Sequence, residues 1–489
     1  MPIFMDITTV GFLLFLLITL VLYYTISKEY KWKVLLCGGL IFLGVTDIRA
    51  IIFIVLTAVS IWQAGLHMDK ENLKKGKIVL LVTMFFNLGI LFALKYLTPF
   101  LNSTVLSNNK LNLLVPLGIS YYTLQAISYV LDVYWGRIEA EKSFSKLLLF
   151  VSYFPQMLQG PINRYKDLSH EIYEKDHTFH IENIAYGAQL MLWGYFKTMV
   201  ISGYMKEQVS SIFKSDVTSY GLNVFIGFVF FGFQLYANFS GGIDIVRGVS
   251  ECFGIILPDN FRQPFFSKSL GEFWRRWHIT LGAWMKDYVF YPFSMSSFVS
   301  KAKKKLKKRV SRRMANRIPI AFANVVVFLI VGIWHGFGTN YALWGLYNGI
   351  ILGVSEILAD YFVKIKKKLK VNEKSKGWNA FCLIRTFIIV TLGWSTDCAT
   401  SAAGSFALIK NMLYVGMTDL TMIHWELGGF VRIAVLLIVG LIHEKNLSIR
   451  KEVSKKNLGI QILFWIILIQ SIVCFGALGS TGGFMYADF

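Results

Sequence analysis

The sequence predicts an all-α polytopic membrane protein, and three observations carry that expectation. The chain has 489 residues, of which 55% are hydrophobic and only 16% charged; a soluble domain carries about 25% charged residues. Mean hydropathy is +0.53. Apolar stretches of roughly membrane-spanning length recur from end to end, so length alone does not argue for several soluble domains. One integral membrane domain over 1–489 is the expectation.

The stretches fall near 11–26, 34–45, 50–66, 78–94, 112–131, 146–159, 184–203, 220–237, 318–335, 341–363, 379–395, 428–443 and 458–478. Those near 34–45 and 146–159 are short for ~30 Å of hydrocarbon and read as re-entrant or protein-buried segments. About ten to twelve crossings plus several partial helices follow. No basic n-region or small-residue cleavage site opens the chain, so 11–26 reads as a retained span.

The net charge of +21 resides in loops. Residues 301–317 hold ten Lys/Arg and no acid, and 364–376 hold seven Lys and one Glu. Without a soluble nucleic-acid module, such runs are topogenic and face the cytoplasm. Lys28–Lys33, Lys70–Lys77 and Lys445–Lys456 join them on that side. Two apolar segments separate 301–317 from 364–376, so the scheme is self-consistent. It puts 396–427 and both termini on the outer face. Cys37, Cys252, Cys382, Cys398 and Cys474 are scattered, with neither disulfide nor zinc spacing. No metal site is expected.

Between 238 and 317 the pattern changes. Gly241-Gly242, Pro258, Pro264 and Pro292 interrupt it, and charge rises. Irregular polar sequence at membrane depth needs protein or a water-filled cavity around it. Residues 255–300 are therefore expected inside the bundle or along its cytoplasmic mouth.

Two histidines stand out. His335 sits in apolar sequence, Val331-Gly-Ile-Trp-His-Gly-Phe-Gly338. The plain reading is a buried imidazole bonded to a backbone carbonyl at a helix end. The functional one is a general base: Gly336 and Gly338 leave room beside it, and Trp334, Phe337 and Trp344 build walls. Desolvation keeps such an imidazole neutral, as a base requires. Counting ~1.5 Å per residue from the basic run places it deep in the membrane or beyond its middle. Intramembrane ionisable groups mark functional sites.

His278 follows Phe273-Trp-Arg-Arg-Trp277. Residues 271–290 fit one helix, with Trp274, Trp277, His278, Leu281 and Trp284 on one face. It reads either as an interfacial helix, with Glu272 pairing Arg276 one turn away, or as a pocket wall offering Arg275, Arg276 and Lys286 to anionic groups. Lys286 and Asp287 also suit a structural ion pair. Gln125, Asp132, Gln156, Gln159, Asn163, Arg164, Asn238 and Asp244 indicate a polar bundle interior. No P-loop, HExxH or GxSxG motif occurs in a supporting context.

At these residues the chain resembles the membrane-bound O-acyltransferase family, in the branch of alginate O-acetyltransferases and the D-alanyl-teichoic-acid acyltransferase. The resemblance rests on Phe273-Trp274-Arg275-Arg276-Trp277-His278 with Trp284, Asp287 and Tyr288. It rests equally on Gly332-Ile333-Trp334-His335-Gly336 with Trp344-Gly345 and Asn348-Gly349. Pro116–Thr123, Phe154-Pro155-Gln156 with Gly160-Pro161, and Asn260-Phe261 with Pro264-Phe265 add to it, over a core of about 115–350. Lys286 stands where the family usually has Arg, and Asn238 where Asp is common. The run 301–317 is longer and more basic than the family's usual turn.

The resemblance implies a helical bundle around a central tunnel in a bacterial cytoplasmic membrane. His335 would be the catalytic histidine and His278 a second one. Trp274, Arg275, Arg276, Trp277, Asp287, Tyr288, Trp334 and Asn348 would line the donor tunnel. An acyl group would pass from a cytoplasmic thioester to an outer hydroxyl. Acetyl-CoA is the first choice of donor, and an aminoacyl carrier protein, as in D-alanylation, is the rival. An extracytoplasmic SGNH-type partner would complete transfer to a polysaccharide. A proton-coupled transporter or flippase using the two histidines as a relay is the alternative of another class.

Overall fold

A computed structural model describes residues 7–68, 72–97, 100–101, 115–157, 159–213, 219–418 and 427–476. Parts of the expected segments at 112–114, 419–426 and 477–478 lie outside the described residues. Within them all regular structure is helical, apart from one isolated bridge between Phe261 and Trp277.

Helix α1 (Val10–Thr25) is apolar throughout and starts on the Thr9 side chain, which accepts the Phe12 N–H. Helix α2 (Lys31–His67) runs unbroken for 37 residues. The expected stretches 34–45 and 50–66 are thus one helix, since Asp47 and Arg49 interrupt the hydropathy but not the backbone hydrogen bonds. Among its described residues, Ile48–His67 form a stretch long and apolar enough to cross a bilayer. Helices α3 (Leu73–Phe92) and α4 (Ile119–Tyr134) follow. The segment 146–159 is a buried, broken pair, α5 (Phe144–Ser152) and a turn at Phe154–Met157.

Helices α6 (Ile181–Tyr195) and α7 (Leu222–Cys252) pack closely. Helix α7 continues through Gly241-Gly242, against the expected interruption. The reason is a partner helix: a methyl on Gly194 of α6 would stand 2.6 Å from the Gly241 carbonyl oxygen. In a membrane, small residues serve such close crossings.

The expected single helix over 271–290 is broken. It forms α8 (Leu270–Arg276) and α9 (Ile279–Met285), continued by a wider turn over Lys286–Phe290. Residues 260–262 pair with 276–279: Arg262 N–H donates to Arg276 O at 2.9 Å and Ile279 N–H to Asn260 O at 3.0 Å. These bonds divert the backbone, and His278 takes φ +47°.

The hairpin of α10 (Arg312–His335) and α11 (Thr339–Ile357) turns at Gly336–Gly338. Arg317 pairs with Asp360 at 3.0 Å and lies 3.6 Å from Glu356. Both basic runs therefore sit at one end of the hairpin, with an even number of crossings between them. Helix α12 (Lys376–Gly393) leaves that end, and a turn at Trp394–Thr396 closes it at the other. Helices α13 (Leu427–Glu444) and α14 (Leu458–Phe475) complete the bundle.

Among the described residues six helices are long and apolar enough to span a membrane. A seventh counts if α11 and Ala359–Lys368, bent by 61°, form one span. The expectation of ten to twelve also counted shorter and broken apolar stretches.

Candidate active site

A cavity of about 750 Å³ follows the α10–α11 hairpin. Asn324, Val327, Phe328, Val331 and His335 supply one wall from a single face of α10. Tyr341, Trp344, Leu352, Ser355 and Glu356 supply another from α11. At 1.5 Å per residue, Tyr341 to Glu356 spans about 22 Å. The third wall comes from the broken α8–α9 segment, including Trp274, Arg275, Trp277, His278, Leu281 and Lys286. The cavity thus runs from the basic end of the hairpin to His335.

His335 is the last residue of α10 and is buried. The rings of Trp334 and Trp344 flank it at 5.1 and 5.3 Å between centroids. Trp334 also reaches towards the second histidine, 6.5 Å from the His278 ring. Tyr121 of α4 packs on Trp334 at 5.9 Å, and Phe239 of α7 stands edge-on to His278 at 4.8 Å.

Asn260 organises His278. Its Oδ1 accepts the Thr280 N–H at 3.0 Å and the Thr280 hydroxyl at 2.9 Å, and contacts His278 Nδ1 at 3.2 Å. The backbone N–H can only donate, which fixes the amide orientation. The imidazole Nδ1 therefore carries the hydrogen in this contact, and the lone pair lies on Nε2.

The sequence-derived residues separate into three groups. His335, His278, Trp274, Arg275 and Trp277 line the cavity, with Lys286 beside them. Trp334 and Asn348 support that lining. Trp274 Nε1–H donates to Asn348 Oδ1 at 3.1 Å, and Asn348 Nδ2–H donates to Trp344 O at 2.9 Å. Arg276, Asp287 and Tyr288 are engaged elsewhere. Arg276 bonds Glu272 at 2.7 Å and both carboxylate oxygens of Glu444 at 2.7 and 3.0 Å. Asp287 pairs with Arg164 at 3.1 Å rather than with Lys286. Tyr288 donates to Asp132 at 2.7 Å and stacks on Trp135. Trp284, expected on the His278 face, donates instead to Leu124 O at 2.9 Å. The break at Trp277–His278 is the cause, since it rotates the later residues out of register.

Two residues escaped the sequence reading. Lys95, a lone cation ending an apolar stretch, is buried and donates to Trp334 O at 2.6 Å and Ser120 Oγ at 3.0 Å. With Tyr96, which donates to Ile333 O at 2.8 Å, it satisfies terminal carbonyls of the helix that carries His335. Asp397, just beyond α12, lines the cavity together with His335. Burial pushes its carboxyl up to about 7. Its only sequence signal was one acid in an apolar neighbourhood.

Two buried histidines on a cavity among membrane-spanning helices suit either a membrane-embedded transferase or a proton-handling carrier. Comparison with known proteins narrows the choice. Residues 138–368 match the model of MBOAT, the membrane-bound O-acyltransferase family. The matched segment, somewhat under half of the chain and lying somewhat later than the core of about 115–350, makes the chain similar to that family and supports reading it as a membrane O-acyltransferase. The chain is 28% identical over 392 residues to a probable alginate O-acetylase of Pseudomonas syringae pv. tomato, covering 78% of this chain and 70% of the relative. It is 28% identical over 391 residues to a peptidoglycan O-acetyltransferase of Helicobacter pylori, covering 73% and 68%. It is 28% identical over 304 residues to a teichoic acid D-alanyltransferase of Bacillus subtilis, covering 60% and 72%.

Proposed function

We propose that this enzyme moves an acetyl group from cytoplasmic acetyl-CoA across the bilayer to a hydroxyl of a cell-surface or secreted polysaccharide. The observation carrying this reading is the cavity: it starts at the basic end of the α10–α11 hairpin and reaches His335 and His278. The charge pattern assigns the basic end to the cytoplasm. Arg275 lies near it: a methyl built on Gly271 would stand 3.6 Å from both Arg275 Nη1 and Leu352 Cδ2 of α11. Arg275 and Lys286 hold the donor's phosphates there, and the acyl-bearing arm extends along the apolar walls.

His335 takes the proton of the acceptor hydroxyl as the oxygen attacks the thioester carbonyl carbon. The tetrahedral intermediate collapses, the C–S bond breaks and the ester forms. The thiolate leaves towards the cytoplasm, and the imidazolium proton neutralises it. His278 positions the donor through Nε2 as a hydrogen-bond acceptor. An oxyanion-donor role is disfavoured, because its Nδ1–H is directed at Asn260. An SGNH-type protein on the outer face completes delivery to the polymer.

The D-alanyl relative and the basic run 301–317 support a second reading, with an acylated, acidic carrier protein as donor. The deciding experiment uses purified protein in nanodiscs, offered radiolabelled acetyl-CoA and then D-alanyl-carrier. Thiol release from acetyl-CoA, lost in His335→Ala at unchanged melting temperature, is the expected result. Release only from the carrier moves the assignment to D-alanylation. Full release by His335→Ala overturns the mechanism.

A further inference from the structure

Asp397 has no part in the steps above, yet it lines the same cavity as His335 and is partly exposed. Its position is clamped to the turn that carries the histidine. Asn340 Nδ2–H donates to Thr396 O at 3.1 Å and to Ala399 O at 3.2 Å, bracketing Asp397. Ala402 N–H donates to Thr339 Oγ1 at 3.0 Å. Thr339 and Asn340 open α11, within five residues of His335.

The chemistry of this end differs from that of the other. The cavity's second acid, Glu356, lies at the basic end, 3.6 Å from Arg317. Among the described residues no cation lies within salt-bridge distance of Asp397, and its side chain takes a hydrogen bond from Thr396 Oγ1 at 3.2 Å. A carboxylate has about four acceptor sites, more than the Thr396 hydroxyl and its own backbone N–H occupy. A carboxylate beside His335 does not suit the acetyl thioester group itself, whose carbonyl and sulfur have no hydrogen to donate and whose leaving group is an anion. It suits neighbouring hydroxyls, which donate to its two oxygens together.

Building on the acyl-transfer reading, we propose that Asp397 binds the acceptor. Its carboxylate takes hydrogen bonds from the hydroxyls of a sugar or polyol and presents one hydroxyl to His335. The acceptor therefore enters from the end opposite the donor, and a molecule with adjacent hydroxyls is favoured over a simple alcohol.

The test uses the full-length enzyme in nanodiscs with the thioester donor that the wild type consumes, and glycerol and ethanol as probe acceptors. Ester formation is followed against the concentration of each substrate. At about pH 8.5, where a carboxyl pushed up to about 7 is ionised, Asp397→Asn raises the KM for glycerol about tenfold or more, as expected for lost hydrogen bonds to a charged group. The KM for the thioester stays put, ethanol is affected less, and Asp397→Glu recovers part of the glycerol use. An unchanged glycerol KM, or a thioester KM that rises in parallel, overturns the assignment. Wild type that releases thiol but forms no glyceryl ester also overturns it, and leaves acyl transfer standing. No thiol release from either donor defeats the reading beneath both.

Discussion

Gly345→Ala tests whether the α10–α11 crossing is the template that places His335. Gly345, Gly349 and Gly353 recur every fourth residue on α11. A methyl built on Gly345 would stand 2.9 Å from Leu329 Cα, and closer still to the Phe328 carbonyl oxygen. Both obstacles are backbone, so no side chain can swing aside. Ordinary contact begins at 3.4 Å, so α10 must retreat by roughly half an ångström at Leu329 and more at Phe328, an overpacking change costing about 1–3 kcal/mol. Phe328 and Val331 line the cavity and His335 ends the same helix, so the displacement reaches the imidazole. A misplacement of about 1 Å costs on the order of 100-fold in rate, which puts the expected loss in kcat/KM at about 10- to 100-fold. Thiol release and melting temperature are measured in nanodiscs beside Gly377→Ala, whose added methyl meets nothing within 4 Å. Wild-type kcat/KM with unchanged melting in Gly345→Ala would refute the template.

Two contrasts probe the other walls. Arg275→Ala raises the KM for the thioester, whereas Arg276→Ala, which breaks the bonds to Glu272 and Glu444, lowers thermal stability by about 1–3 kcal/mol and leaves that KM alone; interchanged outcomes would reverse the roles. Asn260→Leu removes the acceptor that holds His278 and Thr280 and lowers kcat by about tenfold or more in protein that still inserts; full activity there would show that His278 needs no positioning.

The sequence carried the membrane class and the hairpin because both rest on local signals. The basic runs at 301–317 and 364–376 bracket α10 and α11, and the ion pairs of Arg317 confirm that they share an end. The cavity's aromatic lining was equally legible from Trp274, Trp277 and Trp344. The features missed are those that depend on distant partners. Local periodicity over 271–290 fits a helix, but Asn260, 18 residues before His278, diverts the chain. Gly241-Gly242 looks like a breaker until Gly194 packs against it. Arg276 looks available for phosphate until Glu444, 168 residues away, claims it. Lys95 looks like a helix-end cation, and its target, the Trp334 carbonyl, lies 239 residues along the chain.

The construction of the hairpin also bears on the proton-relay transporter. A relay of that kind exposes its histidines alternately to the two sides by rocking elements around a fixed site. Here His335 sits on a helix locked to its neighbour at backbone contact through Gly345 and Gly349, where a methyl on Gly349 would lie 2.7 Å from Val325 Cα. The terminal carbonyls of α10 are held by Lys95 and Tyr96 from α3's continuation. Asn340 ties the following turn to the loop after α12. Three independent elements thus fix one imidazole. Sliding α10 against α11 would separate their backbones and leave buried carbonyls without donors, at about 1–3 kcal/mol each. Rigid placement is what general-base attack on a thioester requires, because the reacting atoms must be held about 3 Å apart and aligned. The same rigidity confines any rocking motion to elements other than this hairpin, and the fixed imidazole meets the positional demand of acyl-transfer chemistry.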